Sequence, residues 1–219
     1  MTPPRFAVVL THNRPALLWE CVESVSPQVD HVIIVDNASD PPVSNDEWPA
    51  NVTVVHDPLQ PPNLAYLWNS ALNRIQGQRP GDMWDVALLC DDVLMPSDWF
   101  GRVSGALRAH PTAAAASTHS YAPITEPYLL SHLSNGADRM CPWCFMLPGE
   151  RGLRADESMK WWYTDTHVDM LARQSGGTLI VPGAIATNER IGEYTNSKPE
   201  LAEQAGRDGD TFQSIWGFR

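Results

Sequence analysis

The chain has 219 residues, of which 43% are hydrophobic, so it can bury one sizeable core and is short enough to form a single large domain. Its 26 acidic residues outnumber its 15 basic residues and give a formal net charge of −11. This charge argues against a nucleic-acid-binding protein, although a metal ion can still bridge acidic side chains and the phosphates of a single nucleotide.

The first predicted elements are strands that alternate with helices. The opening residues, MTPPRFAVVL, lead into the polar THNR, which indicates a buried strand at 5–10 rather than a secretory leader. A helix is predicted to begin at Pro15, because proline suits a first helical turn. Further strands are predicted at 32–35, 52–55 and 86–89, with a helix at 63–75 and another capped by Ser97. This alternation predicts a mostly parallel sheet with helices on both faces.

The second half of the chain has a looser pattern. Residues 118–140 are polar and contain several prolines, which indicates a long active-site loop. Strands are predicted at 144–147 and 178–181, and a helix at 166–174 that Gly176 and Gly177 stop. The polar tail from about 195 is expected either to be mobile or to fold over the site. No apolar run is long enough for a transmembrane segment.

The four cysteines indicate a cytoplasmic protein. Cys21 and Cys90 fall in predicted core positions. Cys141 and Cys144 have CxxC spacing, but a structural zinc site needs more ligands, and a redox pair usually opens a helix rather than a strand. Buried reduced thiols are therefore the favoured interpretation, with a redox pair and a metal site as alternatives.

Polar residues follow three of the predicted parallel strands. They are Thr11-His12-Asn13-Arg14, then Asp36, Asn37 and Ser39, then Asp91 and Asp92. Each group alone is explained by a turn, because Asp, Asn and Ser are common turn residues. Together they are expected to converge, because ligands of open α/β sheets bind beyond the carboxyl ends of the strands.

The positions of the glycines exclude a glycine-rich phosphate-binding loop in the first part of the chain. No glycine precedes Gly77, so neither a GxGxxG fingerprint nor a P-loop occurs in that half. Asp91 and Asp92 offer another way, because paired carboxylates are hard oxygen ligands for Mg²⁺ or Mn²⁺, whose other positions are left to water and phosphate. The alternative is an exposed acidic turn.

The order of these segments resembles the family-2-type inverting glycosyltransferases of the GT-A fold. The matching segments are VVLTHNRPALLWECVESV, VIIVDNAS, PPNLAYLWNSAL, ALLCDDVLMPSDWF and WWYTDTHVDMLARQSGG, across roughly residues 6–177. The resemblance implies a GT-A domain at 1–194, with a donor-binding half at about 1–110, an acceptor and catalytic half at about 111–194, and a separate tail at 195–219.

The resemblance also implies site residues in the donor half. Thr11, Asn13 and Arg14 would line the nucleotide pocket, and Asp36 would hydrogen-bond the base. Asn37 and Asn63 would join the donor site. Asp91 and Asp92 would form the DxD-like motif, with Asp91 facing the ribose or sugar and Asp92 ligating the metal. The chain departs from the pattern at Cys90, at Ala65, where glycine is usual, and at Thr187-Asn188, where a metal-binding histidine is often found.

The catalytic base is left between two registers of the family's acidic motif. One register gives Asp165, the favoured residue, and the other gives His167. Partial desolvation by the adjacent Trp161, Trp162 and Tyr163 would raise the pKa of a carboxylate and suit it to act as a base. These aromatic residues either pack in the core or form a sugar-stacking platform.

The sequence therefore predicts a metal-dependent inverting glycosyltransferase that uses Mn²⁺ or Mg²⁺. Its donor would be a UDP-, dTDP- or GDP-sugar, and its acceptor a saccharide, a lipid-linked sugar or a protein. One alternative is a non-catalytic nucleotide-sugar-binding module, since Thr166 and His167 stand where acids are expected. A nucleotidyltransferase is a weaker alternative, because its Gly-rich basic loop is missing.

Overall fold

A computed structural model describes residues 2–79, 81–134, 138–188 and 198–219. Within these ranges the strands are β1 Arg5–Thr11, β2 His31–Asn37, β3 Val52–Asp57, β4 Asp85–Cys90, β5 Ala115–Thr118, β6 Tyr128–Leu130, β7 Cys144–Pro148 and β8 Thr178–Val181. The helices are α1 Pro15–Val25, α2 Leu64–Gln78, α3 Trp99–Ala109, α4 Thr164–Gln174 and α5 Pro199–Trp216.

The strands form one sheet in the order β3-β2-β1-β4-β7-β5-β8-β6. The first four strands of this order are mutually parallel, and Thr11 at the end of β1 lies opposite Asp36 at the end of β2. On its other side β1 pairs with β4, where Leu10 lies opposite Cys90. The polar residues that follow β1, β2 and β4 therefore share one edge of the sheet, as the sequence predicts.

Two apolar layers hold helices on both faces of the sheet. Ala7 and Val9 of β1 pack with residues of α1 and α3. Phe6 and Val8 point to the opposite face and pack with residues of α2 and α4. This alternation follows from the period of two along a strand. It confirms the predicted α/β fold with a central sheet flanked by helices.

The second half of the sheet is mixed rather than parallel. β7 runs antiparallel to both β4 and β5, and β6 runs antiparallel to β8. The sequence predicts neither β5 nor β6. β5 is alanine-rich and ends where the predicted loop 118–140 begins. β6 has three residues and lies inside that predicted loop. The cap of α3 was also predicted wrongly, because Asp98 rather than Ser97 occupies that position.

The C-terminal tail contains a long helix where the sequence predicts a polar segment, and residues 195–197 of the predicted tail lie outside the described residues. α5 is anchored by Phe212, which is 0% exposed and packs in a small cluster with Met159 and Met170. Among the described ranges, none of the helices has both the length and the apolar character needed to span a bilayer.

The Phe212→Ala variant should lose most of this anchor. Phe→Ala in a closed apolar site costs about 3–5 kcal/mol, since contacts are lost and a cavity remains. We expect a fall of that size in the free energy of unfolding, measured by urea denaturation. The matched control is Ile215→Ala on the same helix, where the side chain is 44% exposed. Equal midpoints for the two variants would contradict the anchoring role of Phe212.

Candidate functional site

A cleft of about 600 Å³ opens at the carboxyl ends of the parallel strands. One side of it, which we call the strand-end wall, consists of polar residues that end or follow β1, β2 and β4: Thr11, His12, Arg14, Asn37, Asp91 and Asp92. A second group of lining residues, which we call the helix wall, consists of residues 160–166 and residues of the C-terminal segment: Lys198, Glu200, Leu201, Gln204 and Arg207.

Arg14 bridges the two neighbouring carboxylates of the strand-end wall. Its Nη1 donates to Asp91 at 2.8 Å and its Nη2 donates to Asp92 at 2.6 Å. Thr11 Oγ1 donates to the second oxygen of Asp91 at 2.8 Å, and Asn188 Nδ2 donates to the second oxygen of Asp92 at 2.9 Å. Every carboxylate oxygen of the pair thus accepts a hydrogen bond, which holds both side chains in one arrangement.

Asp91 is the more buried member of this pair, with 3% of its surface exposed. Burial raises its pKa to about 6, against the opposing effects of Arg14 and Thr11. A group with such a pKa changes its charge readily near neutrality. Perturbed carboxylates of this kind are concentrated in functional sites.

The donor set of this wall fits a divalent cation. The described residues contain no group of three His, Cys, Asp or Glu side chains that could hold a metal. Mg²⁺, however, commonly takes one or two protein carboxylates and completes its shell with water and substrate phosphates. Asp91 and Asp92 supply those carboxylates, and each oxygen keeps lone-pair capacity beyond its present hydrogen bond.

Asn13 and Asp36 lie just behind the strand-end wall and do not line the cleft. Asp36 is 1% exposed and accepts hydrogen bonds from the backbone N–H groups of Ser39 and Val43, and from His56 Nδ1. These bonds outweigh burial and lower its pKa. Asn13 has a positive φ of 55° and bonds both ways with the segment after β2. Both residues therefore hold the loops that carry the wall.

Asn37 and Asn63 also bind backbone groups. Asn37 lines the cleft, and its Nδ2 donates to the carbonyl oxygens of Asp57 and Leu59. Asn63 lies outside the lining and caps α2, because its Oδ1 accepts from the backbone N–H of Tyr66 at 3.1 Å. Its Nδ2 donates to the carbonyl of Glu157, which ties α2 to the segment that precedes the helix wall.

Asp165 and His167 are separated by the start of α4. Asp165 is in the first turn of this helix and lines the cleft. Burial raises its pKa to about 6, and the nearby charge of Arg139 opposes that effect. His167 is buried outside the lining, and its Nδ1 accepts from Trp216 Nε1 at 3.1 Å. Burial lowers its pKa. The structure thus brings Asp165, but not His167, to the same cleft as Asp91 and Asp92.

Asp208 of α5 supports the helix wall, and the sequence analysis did not predict this role. It is 0% exposed, and its carboxylate accepts from three consecutive backbone N–H groups, those of Lys160 at 3.0 Å, Trp161 at 2.7 Å and Trp162 at 2.8 Å. The apolar spacing of Leu201, Phe212 and Trp216 is the signal that could have predicted an amphipathic α5.

The CxxC segment also reaches the cleft. All four cysteines are free thiols, and Cys141 and Cys144 are buried with their Sγ atoms 3.5 Å apart. Pro142 and Trp143, the residues between them, line the cleft. Cys144 opens β7 rather than a helix, so the pair lacks the position usual for a redox motif.

A family model described as Glycosyl transferase family 2 matches residues 6–181, which include Arg14, Asp91, Asp92 and Asp165 but not the part of the helix wall on α5. The chain belongs to this family. It is therefore a glycosyltransferase, and its fold is of the GT-A type. A search of curated proteins found no match.

Solved structures agree with this fold. S. aureus TarS 1–349 in complex with UDP-GlcNAc superposes with a TM-score of 0.65 at 11% identity, covering 96% of this chain and 66% of that chain. A second structure of S. aureus TarS 1–349 superposes with a TM-score of 0.60 at 10% identity, covering 94% of this chain and 68% of that chain. The chain thus spans about two thirds of the TarS fragment.

A synthase of another name has a similar fold. The 4-diphosphocytidyl-2C-methyl-D-erythritol synthase from Anaerococcus prevotii has a TM-score of 0.54 at 11% identity, covering 94% of this chain and 96% of that chain. Likeness of fold at this identity does not decide the activity, whereas the family match shows a glycosyltransferase.

The raised pKa of Asp165 predicts a pH-dependent cost to stability. The folded pKa of about 6 exceeds the usual 3.8, so the folded protein holds this proton more tightly than the unfolded chain. The contribution of this group to the free energy of unfolding is therefore present below about pH 4 and is lost as pH rises through about 6.

The Asp165→Asn variant removes this loss. We expect it to be more stable than the wild type by about 1–3 kcal/mol at pH 7.5, after a discount for partial exposure, and by roughly a third of that difference at pH 4.5. Urea denaturation at both pH values measures the difference. Asp91 also has a raised pKa, but its contribution to the pH dependence is the same in the wild type and the variant and drops out of the difference. The exposed Asp46→Asn is the control. The same stability difference at both pH values would contradict the assignment.

Proposed function

We propose that this glycosyltransferase moves a sugar from a nucleotide-diphospho-sugar to an acceptor hydroxyl with inversion of the anomeric centre. The observation that carries the proposal is the placement of Arg14, Asp91, Asp92 and Asp165 on one cleft. A wall with two carboxylates that can bind a metal thus shares a cleft with a third carboxylate, Asp165, whose pKa is raised.

The strand-end wall is the proposed donor site. TarS, whose structure was solved with UDP-GlcNAc, supports a nucleotide-sugar donor, and UDP-, dTDP- and GDP-sugars all fit the proposal. The first glycine is Gly77, so backbone amides of a glycine loop are not available for the diphosphate. Thr11, Arg14 and Asn37 would contact the donor, whereas Asn13, Asp36 and Asn63 would hold the loops around it.

Asp91 and Asp92 are the proposed ligands of Mg²⁺ or Mn²⁺. When bound, such a cation supplies stabilisation of the negative charge on the departing diphosphate. Arg14 supplies a fixed positive charge at the same place, through its hydrogen bonds to both carboxylates. Because Arg14 offsets only part of the charge of the two carboxylates, the cation would be needed to make this wall attractive to a diphosphate.

Asp165 is the proposed base. It takes the proton of the acceptor hydroxyl, the hydroxyl oxygen forms the new bond to the anomeric carbon, and the bond to the nucleoside diphosphate breaks. A pKa of about 6 leaves the carboxylate ionised at neutral pH and more basic than an ordinary aspartate. Because attack comes from the face opposite the leaving group, the base would act on the side of the anomeric carbon away from the diphosphate.

The alternatives predict different behaviour. A non-catalytic module would bind the donor without turnover. A nucleotidyltransferase would need a way to hold a triphosphate, and the chain has no glycine-rich basic loop after its first strand. A cytoplasmic location stays a prediction that rests on the four free thiols.

Asp165→Asn should lower the rate of transfer by about 10²–10⁴-fold, because the amide cannot accept the proton. The affinity for the donor should be unchanged, since Asp165 is neither a proposed metal ligand nor a proposed donor contact. Both are measured with the same nucleotide sugar, by product formation and by titration calorimetry, with Asp46→Asn as the control. The wild-type rate should rise with pH through about 6. Unchanged turnover in Asp165→Asn would move the base elsewhere.

Asp92→Ala should weaken donor binding only when the metal is present. The change removes a metal ligand and the acceptor of hydrogen bonds from Arg14 and Asn188. We expect at least a tenfold loss of nucleoside-diphosphate affinity in Mn²⁺, or about 1.4 kcal/mol, and a much smaller loss in EDTA. Asp57→Ala, outside the cleft lining, is the control. Full affinity of Asp92→Ala in Mn²⁺ would refute the metal assignment.

A further inference from the structure

The helix wall carries more cations than carboxylates in a protein that is otherwise acidic. The net charge of the chain is −11, and its sequence contains two lysines, Lys160 and Lys198. Both lie on this wall with Arg207, beside the carboxylates Asp165 and Glu200, and Arg139 lines the same cleft. The concentration of both lysines and two arginines around one cleft calls for a local reason.

The backbone that carries three of these cations is tied together by one buried carboxylate. Asp208 accepts the backbone N–H of Lys160 at 3.0 Å. Arg207 precedes Asp208 in α5, and Lys198 is the N-cap residue of the same helix. The fold therefore fixes the positions from which these side chains reach the cleft.

The cations nearest the proposed base have capacity for a ligand. Within the described ranges, the side chains of Arg139 and Lys160 form neither a hydrogen bond nor an ion pair. Arg139 is partly buried, and its charge is felt by Asp165, whose pKa it lowers against the effect of burial. A partly buried guanidinium without an acceptor is unfavourable, so an anion bound there would relieve a cost already present.

Two buried polar atoms add hydrogen-bonding capacity to the same cleft. Trp68 Nε1 and Thr164 Oγ1 have no hydrogen-bond partner in the described structure, although Trp68 is 5% and Thr164 1% exposed. Both residues line the cleft, and Thr164 is next to Asp165. Unsatisfied buried donors are rare and are expected where a ligand completes them. The ring of Trp162, which is 42% exposed, adds an apolar surface.

We propose that the helix wall is an acceptor subsite for a molecule that carries an anionic group, phosphate or carboxylate, near the hydroxyl that receives the sugar. Arg139 and Lys160 bind the anion, and the Trp162 ring packs against the body of the acceptor. This proposal rests on the proposed function, because only a transferase uses an acceptor. The positive wall also offsets the repulsion that an acidic protein exerts on an anion.

The test measures binding of three related probes, glucose 6-phosphate, glucuronate and glucose, by titration calorimetry without any donor. We expect at least one of the two anions to bind at least tenfold more tightly than glucose at about 50 mM NaCl, with a smaller advantage at about 500 mM. The stronger anion identifies phosphate or carboxylate as the preferred group.

Variants locate the binding. Arg139→Gln and Lys160→Gln should each weaken binding of the preferred anion at least threefold and leave glucose unaffected. The matched control is Arg74→Gln, which removes an equal charge from an exposed position of α2 outside the cleft. Equal affinity for all three probes, no binding of either anion at millimolar concentration, or an equal loss in Arg74→Gln would overturn the proposal. Loss of transfer in an assay with intact anion binding would instead count against the proposed function alone.

Discussion

The site depends on one electrostatic constraint, which is the repulsion between two adjacent carboxylates at the end of β4. Arg14 resolves it by donating to Asp91 at 2.8 Å and to Asp92 at 2.6 Å, with side chains that are at most 22% exposed. Partial burial makes these contacts stronger than surface ion pairs. They also join the loop after β1 to the loop after β4, so the same interaction shapes the cleft and sets its charge. Asp91 nevertheless keeps a pKa of about 6, because burial dominates.

The first half of the fold and its site could be predicted because the signals there are local. Short β-branched runs end at Thr11, Asp36 and Cys90, and parallel pairing brings those ends to one edge. The second half carried weaker signals. β5 is the alanine-rich AAST, and β6 has three residues, so neither shows a period of two long enough to separate it from a loop. α5 combines few apolar residues with many charges, and its role appears only when Asp208 meets a segment almost fifty residues away.

The sequence alone could not decide whether Asp165 or His167 lines the cleft, because the answer depends on the orientation of α4. Side chains two positions apart on an α-helix differ in direction by about 200°, so a helix can present one of them to a cleft and turn the other into its packed side. Since α4 begins at Thr164, Asp165 faces the cleft and His167 faces Trp216 of α5. A similar distinction separates Arg14, whose guanidinium reaches the cleft, from Asn13, whose backbone and side chain both bond to the segment after β2. In both cases the sequence predicts which segment lies at the cleft, but not which side chains of that segment point into it.

The two walls of the cleft differ in how the fold holds them. The strand-end wall grows from the centre of the sheet, where β1 and β4 are paired with neighbours on both sides. The helix wall is held in two ways. α4, which carries Asp165, packs in the same apolar layer as Phe6 and Val8 of β1. α5 is held by Phe212 in its small apolar cluster and by the Asp208 carboxylate on the N–H groups of residues 160–162. Changes in α5 would therefore alter the surface offered to an acceptor while leaving the proposed base and the donor site in place. A fold with a fixed donor side and a separately anchored acceptor side can therefore change its acceptor without rebuilding the chemistry of the leaving group.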